Sequence, residues 1–339
     1  HRRDGGRLAR LVAAHRRRLR GITVRQLLNM SSGLRDYDDD PAFGRVFARS
    51  PRAPRSMARL AAFGLARPRL FRPGARGRTY YSNTNYVLAG MLVEAVTGRS
   101  FASRIRALFR RAGMRRSSYP LGIGPGSVRG YQPPYPGGRT LPAVVRPFLG
   151  LPDLGFSVTS RAVLSVSTSS LAGGPTVGVR PAPPQVQARY GGTREVTWQD
   201  VTDVYRPAAL GSAAGAAVST SGDLARFWRQ LFGGRLADRA SLGLMRSSVP
   251  APPNPPGVHN YFALGLQRQD VARGAFFSGS PPLRIWMKLG DTFGYTSASY
   301  YVEGPRPYGG VVVTNTTNLF PSPVGDLGVL RDTLRALRG

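Results

Sequence analysis

Two polar side chains stand two positions apart where a helix is predicted to begin. Tyr81 and Asn83 lie in the segment TYYSNTNYVLAGMLVEAVTG (79–98), which changes from polar to apolar and ends in glycine. A phenol can pass a proton to or from a reacting group, and a carboxamide offers both a donor and an acceptor to a substrate amide. The pair raises the question of which reaction would need these two groups at a helix start, and whether the chain contains the other groups of that reaction.

The helix that would position this pair has recognisable start and stop signals. Ser82, Asn83 or Thr84 can accept hydrogen bonds from the first N–H groups, and Gly98 can end the helix. At helical spacing, one apolar stripe is predicted to face the core. Its members are Tyr86, Ala89, Val93 and Val96.

Two other segments have similar helix signals. In ITVRQLLNMSSGL, Thr23 and Gln26 form a capping box, and Gly33 is predicted to end the helix. In SAAGAAVSTSGDLARFWRQLFGG, Ser221 or Asp223 can cap a helix. Its inward face is predicted to consist of Leu224, Phe227, Trp228 and Leu231.

Strand patterns dominate the later part of the chain. The runs YFALGLQRQD, TSASYYVEG and YGGVVVTNTT are rich in β-branched and aromatic residues, and the last two predict an antiparallel hairpin. A terminal helix is predicted from leucines on one face, which are Leu327, Leu330, Leu334 and Leu337. These patterns predict an α+β fold, with a helical lobe beside an antiparallel sheet that is flanked by helices.

The predicted organisation is a single domain spanning residues 1–339. Residues 22–119 form the helical lobe, and residues 208–339 contain a helix, the sheet and the terminal helix. Between them, residues 120–207 lose periodicity and are rich in proline, glycine and serine, which indicates a long surface excursion or a partly disordered segment.

Composition limits the function classes. With 339 residues and 41% hydrophobic content the chain can bury a large core, but no run approaches the ~20 apolar residues of a membrane span. The net charge of +31 comes from arginines scattered along the whole chain, since Lys288 is the only lysine, and this pattern favours compositional bias over a nucleic-acid surface. Three scattered histidines (His1, His15 and His259) and no cysteine indicate neither a metal site nor a Ser-His-Asp triad.

Three segments together resemble a known family. ITVRQLLNMSSGL, YYSNTNYVLAGMLVEAVTG and SAAGAAVSTSGDLARFWRQLFGGRL are similar, in that order, to the serine D-alanyl-D-alanine carboxypeptidases and class C β-lactamases. The resemblance implies a β-lactamase/DD-peptidase-like fold and acyl-enzyme chemistry on D-alanyl peptides, β-lactams or esters, without a cofactor. It also implies an extracellular or cell-envelope location.

The same resemblance implies roles for particular residues. Tyr81 corresponds to a proton shuttle and Asn83 to the group that holds the substrate amide. In WMKLGDTFGYTSASYY, Lys288-Leu289-Gly290 corresponds to the carboxylate-binding strand motif, and the backbone N–H of Asp291 to an oxyanion donor. An alternative alignment moves the motif to residues 290–292. Because leucine replaces the usual threonine, changing Leu289 to Thr is expected to tighten binding of a D-alanyl ligand.

The nucleophile of this family is the serine of a Ser-x-x-Lys turn. Lys288 is the only lysine and residue 285 is isoleucine, so these 339 residues contain no such turn. Because DGGRLARLV (4–12) resembles the end of the family's nucleophile helix, the serine is expected before His1. Ser31 and Ser32 are interpreted as ordinary helix-end residues. The chain as given is therefore predicted to be inactive; the alternative hypotheses are a decayed or binding-only relative and, from charge alone, a nucleic-acid-binding protein.

Overall fold

The structure is a computed structural model that describes most of the chain outside one long central segment. The described residues are 2–119, 131–132, 180–181, 199–200, 211–251, 254, 256–292, 295–303, 310–317, 330 and 334–336.

Nine helices of four or more residues lie in the described ranges. In chain order they are α1 (Arg2–Ala14), α2 (Arg16–Leu19), α3 (Val24–Leu28), α4 (Pro41–Arg49), α5 (Met57–Ala66), α6 (Asn83–Thr97), α7 (Phe101–Ala112), α8 (Ser221–Phe232) and α9 (Arg239–Arg246). Several begin at side-chain caps that the sequence supplies, as at Asp40, Ser56, Ser100 and Asp238.

Helices α1 to α6 share one apolar core. Its fully buried members include Phe43, Phe47, Leu60, Val87 and Leu88. Helix α6 packs against α1, α3 and α5, and it therefore lies at the centre of this layer. The close approach of α5 is possible because Gly64 has no side chain, since a Cβ there would lie 2.1 Å from Thr84 Oγ1.

The buried face of α6 differs from the predicted stripe. Its buried residues are Thr84, Asn85, Val87, Leu88, Gly90 and Met91, whereas Val96 is 82% exposed. The predicted stripe of Tyr86, Ala89, Val93 and Val96 was therefore wrong. The physical reason is that packing on several sides buries polar as well as apolar residues in the first half of the helix, a pattern that hydrophobic periodicity alone does not reveal.

Two predicted helix boundaries also need correction, although the capping box of Thr23 and Gln26 is present. Helix α3 ends at Leu28 and not at Gly33, because the chain turns at Met30, whose φ is 61°. Helix α8 is capped by Thr220, not by Ser221 or Asp223, and the backbone N–H of Asp223 is the group that donates to this cap. The predicted stop of α6 at Gly98 is confirmed by its left-handed conformation.

A six-stranded antiparallel sheet forms the second layer. Its strands, in sheet order, are β4 (Ser248–Pro250), β5 (Val258–Ala263), β6 (Gln267–Val271), β7 (Leu283–Thr292), β8 (Tyr295–Glu303) and β9 (Gly310–Thr317). The predicted hairpin is confirmed as β8 and β9, and the predicted α+β class is also confirmed. A separate small sheet pairs β1 (Tyr131–Gln132), β3 (Gln199–Asp200) and β2 (Arg180–Pro181).

The two faces of β7 have different environments because side chains alternate along a strand. Leu283, Ile285 and Met287 join a core cluster that also contains Leu330 and Leu334. Leu289 packs against this same cluster. Trp286 lies on the other face, in a second cluster, and Lys288 shares that face by alternation.

Some predictions fall on residues outside the described ranges. They are the excursion at 120–207, apart from the three short strands, and the terminal-helix positions Leu327 and Leu337. No helix in the described part of the chain is long and apolar enough to cross a membrane.

Candidate functional site

The structure brings three of the predicted site residues into one hydrogen-bonded chain. Lys288 Nζ, on β7, lies 3.3 Å from Tyr81 OH and donates to it. Tyr81 OH in turn donates to Asn83 Oδ1 over 3.4 Å. All three side chains are partly exposed. The start of α6 and the middle of the sheet thus meet at a polar corner, which we define as Tyr81, Asn83 and Lys288.

Aromatic rings hold the lysine at this corner. Lys288 Nζ lies 5.1 Å from the ring centroid of Tyr81 and 5.5 Å from that of Tyr86, and both distances allow cation–π attraction. The ring of Phe262 packs beside Tyr81, with 6.3 Å between the centroids. Burial raises the pKa of Tyr86 to about 12, although the charge of Lys288 opposes this rise. Tyr86 therefore remains a neutral phenol at the back of the corner.

Two aspartates fix the orientation of Asn83. Asn83 Nδ2 donates to Asp36 Oδ2 over 3.0 Å and to Asp38 Oδ2 over 3.1 Å. The backbone N–H of Asn83 also donates to Asp36 Oδ2, over 2.8 Å. Asp36 therefore provides the cap that Ser82 was predicted to supply, since the side chain of Ser82 makes no cap hydrogen bond. The expectation that Ser82, Asn83 or Thr84 caps α6 was wrong.

These carboxyl groups lie in an unfavourable environment for charge. Burial, together with the charge of Asp39, raises the pKa of Asp36 to about 7, although the hydrogen bond from the backbone N–H of Asn83 opposes the rise. Burial also raises the pKa of Asp38 well above its usual value, as do the charges of Asp36 and Asp39. Asp39 is itself hydrogen-bonded to Tyr80 OH. At neutral pH the pair therefore keeps part of its protons.

Sequence reasoning missed Asp36 and Asp38. Their signal was present, because the five residues 36–40 contain four of the chain's 17 acidic residues, in a protein with 48 basic ones. Such a local reversal of charge sign in a strongly basic chain indicates a special environment. The structure shows that this segment lies directly behind the start of α6.

The remaining predicted positions lie on β7. Gly290 is exposed, and a Cβ there would lie 2.7 Å from Ser297 Oγ. Asp291 pairs with Thr296 on β8. Leu289 faces the core and not Lys288. The expectation that a threonine hydroxyl at position 289 would reach a ligand beside Lys288 therefore has no support in this geometry.

The two serines near the corner are already engaged. Ser31 Oγ donates to Asn29 Oδ1 over 2.6 Å, and Ser32 Oγ donates to Asn85 Oδ1 over 2.7 Å. Both serines are buried. Neither is close to a lysine or histidine in any described contact, so neither has the base that a serine nucleophile requires.

A cavity of about 250 Å³ lies elsewhere, between the starts of α5 and α7. It is lined in part by Met57, Met91, Glu94 and Phe101. Met91 lies eight residues after Asn83 on α6, roughly 12 Å along the helix.

Among the described residues no group of three or more His, Cys, Asp or Glu side chains is arranged to bind a metal. The polar corner is thus the place where charged and hydrogen-bonding groups converge from two layers.

The corner can perform a limited set of chemical tasks. A lysine cation can bind an anion or a polarised carbonyl, a phenol hydrogen-bonded to that cation can pass a proton, and an oriented carboxamide can hold a substrate. These are the assisting tasks of amide or ester cleavage. None of the three residues of the corner is a serine.

Fold and site define a chain of the serine β-lactamase type. The model of the family described as Beta-lactamase matches residues 3–334. The chain belongs to this family.

Solved structures of similar fold include two amide-cleaving enzymes and a penicillin-binding protein. A D-stereospecific amidohydrolase from a Streptomyces species has 23% identity and a TM-score of 0.60, with 93% of this chain and 79% of that chain covered. A D-amino acid amidase from Ochrobactrum anthropi SV3, complexed with D-phenylalanine, has 21% identity and a TM-score of 0.58, with 93% and 72% covered. A penicillin binding protein from Bacillus halodurans has 16% identity and a TM-score of 0.59, with 97% and 83% covered. These similarities show the fold.

Proposed function

We propose that the polar corner is the substrate-binding and proton-transfer half of a serine-hydrolase site for D-alanyl peptides, β-lactams or related amides and esters. The chemistry that these groups assist is acyl transfer to a serine nucleophile. Tyr81 passes the proton to the leaving group, Asn83 holds the substrate beside the reacting bond, and Lys288 binds its carboxylate. The observation that carries the proposal is the continuous hydrogen-bonded chain from Lys288 through Tyr81 to Asn83.

The position of Lys288 supports the role of carboxylate ligand. Its ammonium has three N–H donors, and two of them bond to Tyr81 OH and to Leu289 O, both over 3.3 Å. Distances of this length leave room for a shorter, charge-assisted bond to an anion. A carboxylate bound there would lie beside Tyr81, where the phenol can reach a neighbouring bond.

Family membership and the relatives add support from independent directions. The similar structures are those of a D-stereospecific amidohydrolase, a D-amino acid amidase and a penicillin binding protein. A D-amino acid amide and a penicillin each contain an amide carbonyl that a serine can attack. The proposal for this chain is restricted to the groups that assist such an attack, because its 339 residues contain no Ser-x-x-Lys turn.

A binding measurement tests this proposal. Calorimetric titration of the 339-residue chain with D-alanyl-D-alanine should show binding that weakens by about tenfold or more in Lys288→Gln, since hydrogen bonds to charged groups contribute about 1.5–3 kcal/mol. The matched control is Arg284→Gln, which removes a cation from the same strand. Arg284 is paired with Asp270 and lies four residues from Lys288.

The outcome with the two variants decides between roles. If binding of D-alanyl-D-alanine weakens in Lys288→Gln and is unchanged in Arg284→Gln, Lys288 is a specific carboxylate ligand. If binding weakens equally in both variants, the general positive charge attracts the ligand, and the assignment of Lys288 is wrong.

The second candidate is a binding-only relative that keeps the fold without chemistry. The observation that favours it is the absence of a Ser-x-x-Lys turn from the sequence. The two candidates differ in the coding sequence adjoining residue 1, where an in-frame Ser-x-x-Lys supports the hydrolase and its absence supports the binding-only relative.

A further inference from the structure

The cavity between the starts of α5 and α7 contains charged groups of both signs. Arg7, on α1, is exposed and therefore lies at its mouth, and the buried Arg55 lines it just before α5. Glu94, on α6, lines the same space. None of these three residues belongs to the polar corner.

Glu94 has one carboxylate oxygen that can take a ligand. Its Oε1 accepts the backbone N–H of Phe101 over 2.8 Å, whereas no hydrogen bond or ion pair between described residues uses Oε2. Burial raises the pKa of Tyr119, which also lines the cavity, and the charge of Glu94 adds to this rise, although a hydrogen bond with Ser212 opposes it. Tyr119 therefore remains neutral, and Glu94 supplies the negative charge of the cavity.

Arg55 supplies a positive charge in a fixed position. Its guanidinium donates to the backbone oxygens of Ala53, Val46 and Ser50, over 3.1, 2.8 and 3.1 Å. These carbonyl groups are neutral, so they orient the guanidinium without cancelling its charge. Together with Arg7, it makes a second part of the cavity lining positive.

The rest of the cavity lining is mostly apolar. It includes Met57, Met91, Phe101 and Ala102. Methionine side chains are flexible and adapt to the shape of an apolar group. The volume of about 250 Å³ lies below the ~300–1,000 Å³ that is typical of pockets for drug-sized ligands. The cavity therefore suits a smaller molecule with a short hydrocarbon chain.

We propose that this cavity is a second binding site, which takes a small zwitterion with a short apolar chain. The ammonium group of the ligand bonds to Glu94 Oε2, its carboxylate lies toward Arg7 and Arg55, and its chain packs against Met57 and Met91. An anion alone would be repelled by Glu94 and a cation alone by the arginines, so a ligand with both charges is the complementary one. The inference does not depend on the proposed function of the polar corner.

Three probes that share one butyl chain test the proposal. Norleucine has both charges, hexanoate lacks the ammonium group and pentylamine lacks the carboxylate. Each is titrated into the 339-residue chain labelled with ¹³C at the methionine methyl groups, so that Met57 and Met91 report from the cavity. Met30 reports from the start of α6, because its sulfur accepts from the backbone N–H of Ser82 and from Asn85 Nδ2.

Norleucine should shift the methyl signals of Met57 and Met91, and the signal of Met30 should stay in place. Its Kd should be lower than that of either other probe by about tenfold or more, since a hydrogen bond to a charged group contributes at least that factor. The comparison uses the unaltered chain and is therefore independent of whether any variant folds.

Three variants show which charges produce the preference. Glu94→Gln keeps an oxygen for the N–H of Phe101 but removes the charge, and norleucine should then bind about as weakly as hexanoate. Arg7→Gln should weaken norleucine less, because Arg7 is exposed and solvent screens its charge. The matched control is Arg10→Gln, since Arg10 is exposed on the same helix but does not line the cavity, and it should leave all three probes unchanged.

The outcomes separate this inference from the proposed function. A preference for norleucine that is seen at Met57 and Met91, lost in Glu94→Gln and kept in Arg10→Gln supports the inference. Equal binding of the three probes, tighter binding of hexanoate or pentylamine, or no shift of Met57 and Met91 overturns it. A shift confined to Met30 and lost in Lys288→Gln would place the ligand at the polar corner, which overturns the inference but leaves the proposed function intact.

Discussion

The two ends of the polar corner are built differently. At the α6 end, Asp36 and Asp38 hold Asn83 through three hydrogen bonds of 2.8 to 3.1 Å. At the β7 end, Lys288 makes two hydrogen bonds of 3.3 Å, one of them to its neighbour's carbonyl. The α6 end is therefore held by more and shorter hydrogen bonds than the β7 end.

The two ends of the corner also differ in their effect on the stability of the fold. Asp36 is 7% exposed, and burying its carboxyl group without a cation disfavours the charged form. Lys288 is partly exposed and lies against aromatic rings, which are favourable for a cation. Substitutions at the α6 end should therefore change mainly the stability of the fold, and a substitution of Lys288 should change it less.

The largest expected effect is a pH dependence of stability that originates at Asp36. The pKa of this group is about 7 in the folded chain, against an ordinary value of 3.8 for aspartate. Between these two values the folded state binds a proton that the unfolded state has released, so the free energy of unfolding falls as pH rises. The loss for one such group is up to about 4 kcal/mol and is complete above about pH 7.

Urea unfolding of the chain and of Asp36→Asn at several pH values checks this effect. The variant should show a smaller decrease between about pH 4 and pH 7, whereas the control Asp40→Asn should keep the decrease of the parent chain. An unchanged pH dependence in Asp36→Asn would show that Asp36 is not the group that titrates.

The second largest effect is expected from a substitution in the close contact between α5 and α6. In Gly64→Ala, the new Cβ would lie 2.1 Å from Thr84 Oγ1 and 2.9 Å from the backbone oxygen of Arg35. Relieving this overlap requires α5 and α6 to separate, and the expected loss of stability is about 3 kcal/mol. Thermal unfolding measures it.

The matched control for this packing effect is Gly243→Ala in α9. No atom lies within 4 Å of a Cβ built at Gly243. The control should therefore gain about 0.5–1 kcal/mol from helix propensity. Similar changes in both variants would contradict the close contact between α5 and α6.

A third, smaller effect concerns Leu289→Thr. Because Leu289 packs against the core cluster of the sheet, the variant should lose about 1 kcal/mol of stability. Binding of D-alanyl-D-alanine should stay unchanged, since the side chain faces away from Lys288. Calorimetry that shows tighter binding would instead restore the sequence-based expectation for a hydroxyl at this position.

The sequence predicted those parts of the molecule that depend on local signals. The capping box at Thr23, the glycine stop at Gly98 and the hairpin of β8 and β9 each follow from neighbouring residues. Motif resemblance also singled out Tyr81, Asn83 and Lys288, although they lie up to 207 residues apart.

The parts that the sequence did not predict depend on contacts between distant segments. The cap of α6 comes from Asp36, 47 residues away, and not from a neighbouring serine. The core-facing position of Leu289 follows from the register of β7 within the sheet. Similarly, the exposure of Val96 follows from which helices surround the first half of α6. Local patterns contain no information about these partners.

The central claim is that the described residues hold and protonate a substrate but do not attack it. Groups that act together with a nucleophile lose nearly all of their effect when it is removed. Labelling the 339-residue chain with a fluorescent penicillin, followed by a denaturing gel, tests this claim most directly. The account predicts no labelled band, because no serine in the chain is followed three residues later by lysine. A labelled band that disappears when one of the chain's own serines is changed to alanine would contradict it.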